Sequence, residues 1–197
     1  MNFQNLNEIL PFQAGNRPDA IACSAAGCTL TYRELNQHVN RVGNALRDMG
    51  IKPGDRIACL TKHHTECLML SLAACKIGAV CMPVNWRLAA PEIEYIVNNG
   101  EARFFMVDAA FLPLVQQIAL TSVEWAVCTE HATDGIAGFE QWYAQADTEL
   151  TALEATAEAA ALQLLFFGDD RHAEGRGVVP SELAFGLQRL RRRVVLR

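Results

Sequence analysis

A chain of 197 residues that is 51% hydrophobic can bury a sizeable core, and this composition excludes a disordered polypeptide. Its formal net charge of -5 hides an asymmetry: from Asp169 onward seven Arg face four acids, whereas the part before it is acidic. The seven cysteines are odd in number and spread over expected core elements, so they read as reduced, buried thiols rather than a disulfide framework; with no secretion signal at Met1 to Asn5, the expected compartment is the cytoplasm.

In chain order, the first expected element is a small hairpin, Ala20 to Cys23 against Cys28 to Thr31, turning at Ala26-Gly27. Thr31 and Glu34 form a capping-box pattern, in which each side chain satisfies a free backbone N–H at a helix start, and Leu30 and Leu35 stand where a hydrophobic staple would. Leu35, Val39, Val42 and Leu46 recur at helical spacing, and Gly50 suits the left-handed residue that ends a helix. Pro53-Gly54-Asp55 is turn chemistry, and Ile57 to Leu60 a short apolar strand. From Glu66 to Lys76 the chain is apolar almost all round, the mark of a helix buried between layers, and Gly78 ends it. Ala79 to Met82 reads as a strand. Pro91 suits a first helical position before Ile93, Ile96 and Val97, with Gly100 closing that helix. Arg103 to Val107 and Val123 to Cys128 complete the short strands, and Ala152 to Ala161 reads as a linker or short helix. Strands alternating with helices imply parallel pairing through right-handed crossovers, hence a doubly wound α/β layer. The apolar stretch Cys67 to Val84 is interrupted by Lys76, Gly78 and Pro83, which makes it a poor membrane span, since roughly 20 apolar residues are needed.

Several stretches carry a family likeness. Leu30-Thr31-Tyr32-Arg33-Glu34-Leu35 is similar to L-T-Y-x-E-L, and Gly50-Ile51-Lys52-Pro53-Gly54-Asp55-Arg56-Ile57 to G-I-x-x-G-D-R-V. Gly78-Ala79-Val80 through Pro83-Val84-Asn85-Trp86-Arg87-Leu88 matches G-A-V-x-x-P-x-N-x-R-L, and Glu92-Ile93-Glu94-Tyr95-Ile96 follows at the usual place. Singly these motifs are weak; in this order and spacing they are strong. From about Asn7 to Leu165 the chain resembles the N-terminal part of the adenylate-forming (AMP-binding) superfamily, which includes acyl-CoA ligases, luciferases and peptide-synthetase adenylation domains. The matching residues build the fold, so they speak for family more than for substrate.

The likeness stops at a definite point. Ala161-Leu162-Gln163-Leu164-Leu165-Phe166 leads toward that family's phosphate-binding loop, but Phe167-Gly168-Asp169-Asp170-Arg171 departs from it. Read one base later, the codons of Phe167 to Ala184 are compatible with S-G-T-T-G-M-P-K-G-V-V-L-S-H-R-N-L, which is that loop. The expected organisation is therefore a partial N-terminal AMP-binding domain over residues 1–166, followed by an out-of-family, frameshifted tail over 167–197. The tail's Arg189, Arg191, Arg192, Arg193 and Arg197 could touch nucleic acid or an anionic membrane, yet Arg without Lys is also what a GC-rich gene yields out of frame. The latter reading is preferred, with no nucleic-acid partner and no membrane span.

For an intact enzyme, the resemblance implies a two-step ligase. A small-molecule carboxylic acid, taken to be a fatty acid from the look of Asn85 to Ile93, attacks the α-phosphate of ATP, and coenzyme A then takes the acyl group. ATP, magnesium and coenzyme A are the implied cofactors, with none expected for this fragment. As translated, Asp169 and Asp170 replace the loop's two Thr, so carboxylates stand where polyphosphate should go. The expectation is an inactive fragment with no retained catalytic, cofactor-binding or metal-binding residue. The alternative is an interaction fragment that associates with a separately made remainder. Cys59, His63, His64 and Cys67 are a zinc-like set by residue type, but a satisfied loop histidine pair is the preferred reading. Asp169, Asp170, His172 and Glu174 resemble metal or acid–base groups, but they belong to the suspected out-of-frame tail.

Overall fold

The structure, a computed structural model, describes residues 6–25, 28–62, 64–133, 135–150 and 161–164. A 3-10 turn leads into α1 (Ile9–Asn16), which rests on α2. The antiparallel pair β1 (Ile21–Ala25) and β2 (Cys28–Thr31) follows, as the sequence suggests. Thr31 then starts α2 (Tyr32–Asp48) with a complete capping box: Glu34 takes the Thr31 N–H at 2.9 Å while the Glu34 N–H reaches the Thr31 hydroxyl at 3.3 Å. Its apolar stripe, Leu35, Val39, Val42 and Leu46, is buried, and Gly50 takes the left-handed conformation (φ 81°) that reverses the chain.

The central sheet comprises β3 (Arg56–Leu60), β4 (Val80–Pro83), β5 (Ala102–Val107), β6 (Trp125–Cys128) and β7 (Ala137–Gly138), all parallel, in the order β4-β3-β5-β6-β7. Helix α3 (Thr65–Ile77) links β3 to β4, and α4 (Ala90–Asn99) links β4 to β5. Successive strand residues alternate faces, because a pleated strand points neighbouring side chains to opposite sides. Ile57, Cys59, Phe104, Met106 and Val127 therefore join one core with α2 and α3, while Ala58, Leu60, Phe105, Val107 and Cys128 join another with Ile93, Ile96 and Val97 of α4. Helices on both faces of a parallel sheet make the doubly wound α/β layer expected from the sequence.

Gly100 closes α4, as the sequence suggests, with ordinary right-handed angles; the left-handed residue is Glu101 (φ 49°). A Cβ at 100 would force its neighbours to shift, lying 2.5 Å from the Met82 sulfur and 3.0 Å from the Ile96 carbonyl oxygen. The chain also makes α5 (Leu112–Val115) and α6 (Phe139–Tyr143), neither of which has a clear periodic signal. Helix α6 inserts Phe139 against Trp142 and Tyr143, with ring centroids 5.7 and 5.1 Å apart, and Trp142 meets Phe104 of β5 at 5.0 Å. Beyond the sheet's β4 edge, Leu162 makes an isolated parallel bridge to Cys81: the Cys81 N–H donates to the Ala161 carbonyl at 3.1 Å, and the Gln163 N–H to the Cys81 carbonyl at 2.9 Å. The linker expected at Ala152 to Ala161 lies almost wholly outside the described residues, and so does the tail from Leu165.

Candidate functional site

Doubly wound sheets bind ligands beyond the carboxyl ends of their strands, where the strand order reverses. Here β3 is followed by β4 on one side and β5 on the other, so the reversal lies between β3 and β5. The residues just past these strands converge. Asp108, after β5, is 1% exposed and accepts the Thr129 hydroxyl at 2.9 Å and the Lys62 N–H at 2.7 Å. His64, immediately before α3, brings its Nε2 to 3.3 Å from Asp108 Oδ2. A buried carboxylate with this many partners is a fixed electrostatic centre that holds the ends of three strands and the start of α3 in register. Glu130 extends the network, taking the Ala109 N–H at 2.7 Å, and its Oε2 lies 2.9 Å from the Thr129 hydroxyl oxygen, whose one proton the two carboxylates share. Partial burial pushes the Glu130 carboxyl up, but those donors outweigh it and hold the group below the usual range.

Beside this network opens a cleft of about 760 Å³, walled by Thr61, His64, Cys67 and the loop Pro83 to Leu88, with Leu164 at its other side. The motif residues of that loop line it. Asn85 accepts the Arg87 N–H at 3.1 Å, which tightens the turn. Trp86 stacks on Phe111 with centroids 6.3 Å apart, and cations sit over the rings: the Arg87 guanidinium 4.2 Å from the Trp86 centroid, and the Lys62 ammonium 5.5 Å from Trp86 and 5.6 Å from Phe111. Such contacts hold a cation at about 0.5–1 kcal/mol at exposed sites. The cleft wall therefore carries Arg87 over Trp86, with Lys62 held over the same ring and over Phe111.

The cleft floor holds thiols. Cys59 of β3 and Cys81 of β4 are each 1% exposed, with sulfurs 3.9 Å apart, and the Ser71 hydroxyl lies 3.2 Å from the Cys81 sulfur. Cys67, in the first turn of α3, faces the cleft. A hydrogen bond from the Cys59 thiol draws the Cys67 thiol down to about 6 against the opposing effect of burial, helped by the Thr61 and Ser71 hydroxyls. The neighbouring Cys67 and Cys81 sulfurs, together with burial, push the Cys59 thiol well up. Of the zinc-like set, Cys59 and Cys67 both line the cleft, while His64 turns to Asp108 and His63 lies outside the described residues. Among the described residues no group of three or more His, Cys, Asp or Glu is arranged to hold a metal ion. Asp169, Asp170, His172 and Glu174 also lie outside the described residues. The Asp108 network carried no signal in the sequence, where Asp108 is one acid after an apolar run; its position at a strand's carboxyl end is the only pointer.

The chain matches the AMP-binding enzyme family over residues 10–172. It belongs to that family. Among similar proteins, the fatty acid–[acyl-carrier-protein] ligase ScoC of Streptomyces coeruleorubidus is 35% identical over 124 residues, covering 63% of this chain and 24% of that protein. The 3-hydroxybenzoate–CoA/4-hydroxybenzoate–CoA ligase of Thauera aromatica is 42% identical over 91 residues, 46% of this chain and 17% of that one. In structure, the family fold is matched by the anthranilate CoA ligase AuaEII in complex with anthranoyl-AMP, with TM-score 0.75 and 30% identity over 79% of this chain and 30% of that one. A fatty acyl CoA synthetase of Mycobacterium tuberculosis matches with TM-score 0.74 and 25% identity, over 82% and 32% of the two chains. The chain thus spans about a quarter of the length of the curated relatives it matches best in extent. Among the described residues no helix is long and apolar enough to cross a membrane.

Proposed function

We propose that this chain is the N-terminal α/β layer of an ATP-dependent acid–thiol ligase acting on a fatty acid, and that the 197-residue polypeptide alone does not form acyl-adenylate. The observation that carries the reading is the parallel bridge of Leu162 to Cys81 of β4, with Leu164 in the wall of the cleft. Sequence that follows Leu164 therefore starts at the cleft, on the carboxyl side of the sheet. Among the described residues the cleft offers Arg87, with Lys62 held over the Trp86 ring, but no Gly-rich loop. Cradling phosphates in such sites needs backbone and hydroxyl donors with a magnesium ion, so ATP binding falls to the residues after Leu164. There the sequence has Asp169 and Asp170 where the resemblance asks for two Thr, and carboxylates oppose a polyphosphate. Residues 1–166 are the ligase portion and 167–197 the out-of-frame portion.

The choice of fatty acid rests on the run Asn85 to Ile93 and on similarity to a fatty acid–[acyl-carrier-protein] ligase and a fatty acyl CoA synthetase. Coenzyme A is the proposed acceptor. The proposed compartment is the cytoplasm, in keeping with seven cysteines that all stand as free thiols. Carboxylate-dependent exchange of pyrophosphate into ATP tests the first half-reaction without assuming an acceptor. The 197-residue chain is expected to be silent, and the protein read one base later from codon 167 active with octanoate. A robust signal from the 197-residue chain would overturn the inactivity; a restored protein that uses benzoate but not octanoate would overturn the choice of acid.

A further inference from the structure

A second hollow, of about 270 Å³, lies among α1, α2 and residues Thr148 and Glu149, and it shares no lining residue with the cleft. Ligand pockets commonly run to about 300–1,000 Å³, so this one suits a very small molecule. Pro11, Ala14 and Gly15 of α1 form one wall, and a Cβ at Gly15 would meet nothing within 4 Å, so that side has room. Arg33, Asn36 and Asn40 of α2 line another. Directly behind Asn36 and Asn40 stands a buried cation. Lys76 of α3 is 3% exposed and donates to the side-chain oxygens of both, at 2.6 Å each. An ammonium only donates, so each carboxamide must turn its oxygen toward Lys76 and keep its Nδ2 for another acceptor. The Asn40 Nδ2 donates to the Thr148 carbonyl at 2.7 Å, which ties that segment to α2. Among the described residues the Asn36 Nδ2 makes no hydrogen bond, and Asn36 lines the hollow. No carboxylate among them pairs with Lys76. Burial pulls its ammonium down to about 8, which leaves it charged at pH 7. A buried cation without a counter-charge draws an anion into adjoining space, because its field is weakly screened.

The hollow carries the opposite sign as well. Glu149 lines it, and Ala14 and Gly15 belong to the last turn of α1, where backbone carbonyls favour a cation. We propose that this hollow binds a small α-amino acid as its zwitterion: Asn36 and Arg33, with Lys76 behind them, take the carboxylate, and Glu149 takes the ammonium. Arg33 is available for this role. Its ion pair with Asp19, at 3.2 Å, is exposed on both sides, and exposed pairs hold their partners weakly. A plain carboxylate would lie beside Glu149, and a plain amine beside Arg33 and Lys76, so either charge alone meets repulsion. A zwitterion turns both of those contacts into attractions. Pro11 and Ala14 give its side chain a short apolar surface to rest on. No covalent step is involved and no residue of the cleft takes part, so the site stands independently of the ligase reading.

Titration of the ¹⁵N-labelled 197-residue chain at pH 7 with L-alanine, propionate and ethylammonium tests this by NMR, following the backbone and side-chain amides of Asn36 and Asn40. L-Alanine is the zwitterion, and each of the other two keeps one of its charges. The expected result is a saturable shift of these amides with L-alanine, at a Kd roughly tenfold or more below that of either singly charged compound. Arg33→Gln and Glu149→Gln change exposed residues, so the fold is retained, and each is expected to weaken L-alanine roughly tenfold. Glu149→Gln is also expected to tighten propionate, because it removes the like charge. Lys76→Met is expected to weaken both L-alanine and propionate; should that buried change prevent folding, the two exposed variants carry the test. No saturable shift with L-alanine, propionate bound as tightly as L-alanine, L-alanine shifts confined to the cleft residues Thr61 and Trp86, or an unchanged L-alanine Kd in Glu149→Gln would each overturn the proposal.

Discussion

Lys76 offers the sharpest test of the fold, because it is a cation sealed between two helices with only neutral partners. It sits on α3 at 3% exposure and donates to the side-chain oxygens of Asn36 and Asn40 on α2, both at 2.6 Å. Among the described residues no carboxylate pairs with it. Burial pulls its ammonium down from 10.5 to about 8. A lysine with a depressed folded value burdens the fold below that value, where a buried charge must be kept that the unfolded chain holds in water. As pH rises from 8 toward 10.5 the folded chain has shed the proton and the unfolded chain has not, so stability increases across this window. At ~1.4 kcal/mol per unit, the whole effect is about 3 kcal/mol, of which about 1 kcal/mol falls between pH 7 and pH 9. Lys76→Met removes the titrating group and leaves two Asn oxygens without their donor, each costing about 1–3 kcal/mol, so its net effect at pH 7 is small or destabilising. The decisive quantity is the slope. Urea unfolding of both proteins at pH 7 and pH 9 is expected to show the wild type gaining about 1 kcal/mol relative to Lys76→Met, with other titrating groups cancelling between them. Equal pH dependence in the two proteins would refute the reasoning.

Gly78→Ala places a side chain on a left-handed residue (φ 74°) and brings its Cβ to 3.2 Å from Pro53 Cβ, so a loss of about 1–3 kcal/mol is expected in the same unfolding assay. Phe139→Ala empties a fully buried position between Trp142, Tyr143 and the sheet, with an expected cost of about 3–5 kcal/mol; a cost below 1 kcal/mol, read from the urea midpoint, would mean that α6 does not seal this face.

What the sequence determined by itself is local. Thr31 and Glu34 specify a helix start through bonds between residues three apart, and the stripe Leu35, Val39, Val42 and Leu46 specifies the face that α2 buries. Gly50 and Gly78 mark the helix ends because their backbone conformation disfavours other residues, and short apolar runs mark β3, β4 and β5. Those signals, with the motif around Pro83 to Leu88, were enough for the layer architecture and the family. Tertiary structure alone decided the rest. The five residues of α6 have no period long enough to read, and only the surface offered by Phe104 and α2 makes them a helix with a buried aromatic face. Gly100 ends α4 as the sequence indicates, but only the structure shows that a Cβ there would crowd the Met82 sulfur of β4. Asp108, His64 and Thr129 meet across the carboxyl ends of three strands, and Cys59 and Cys81 across a strand pair. Parallel strands bring together residues separated by a whole crossover, so the groups that share a site are set by strand order and register, which no spacing along the chain encodes.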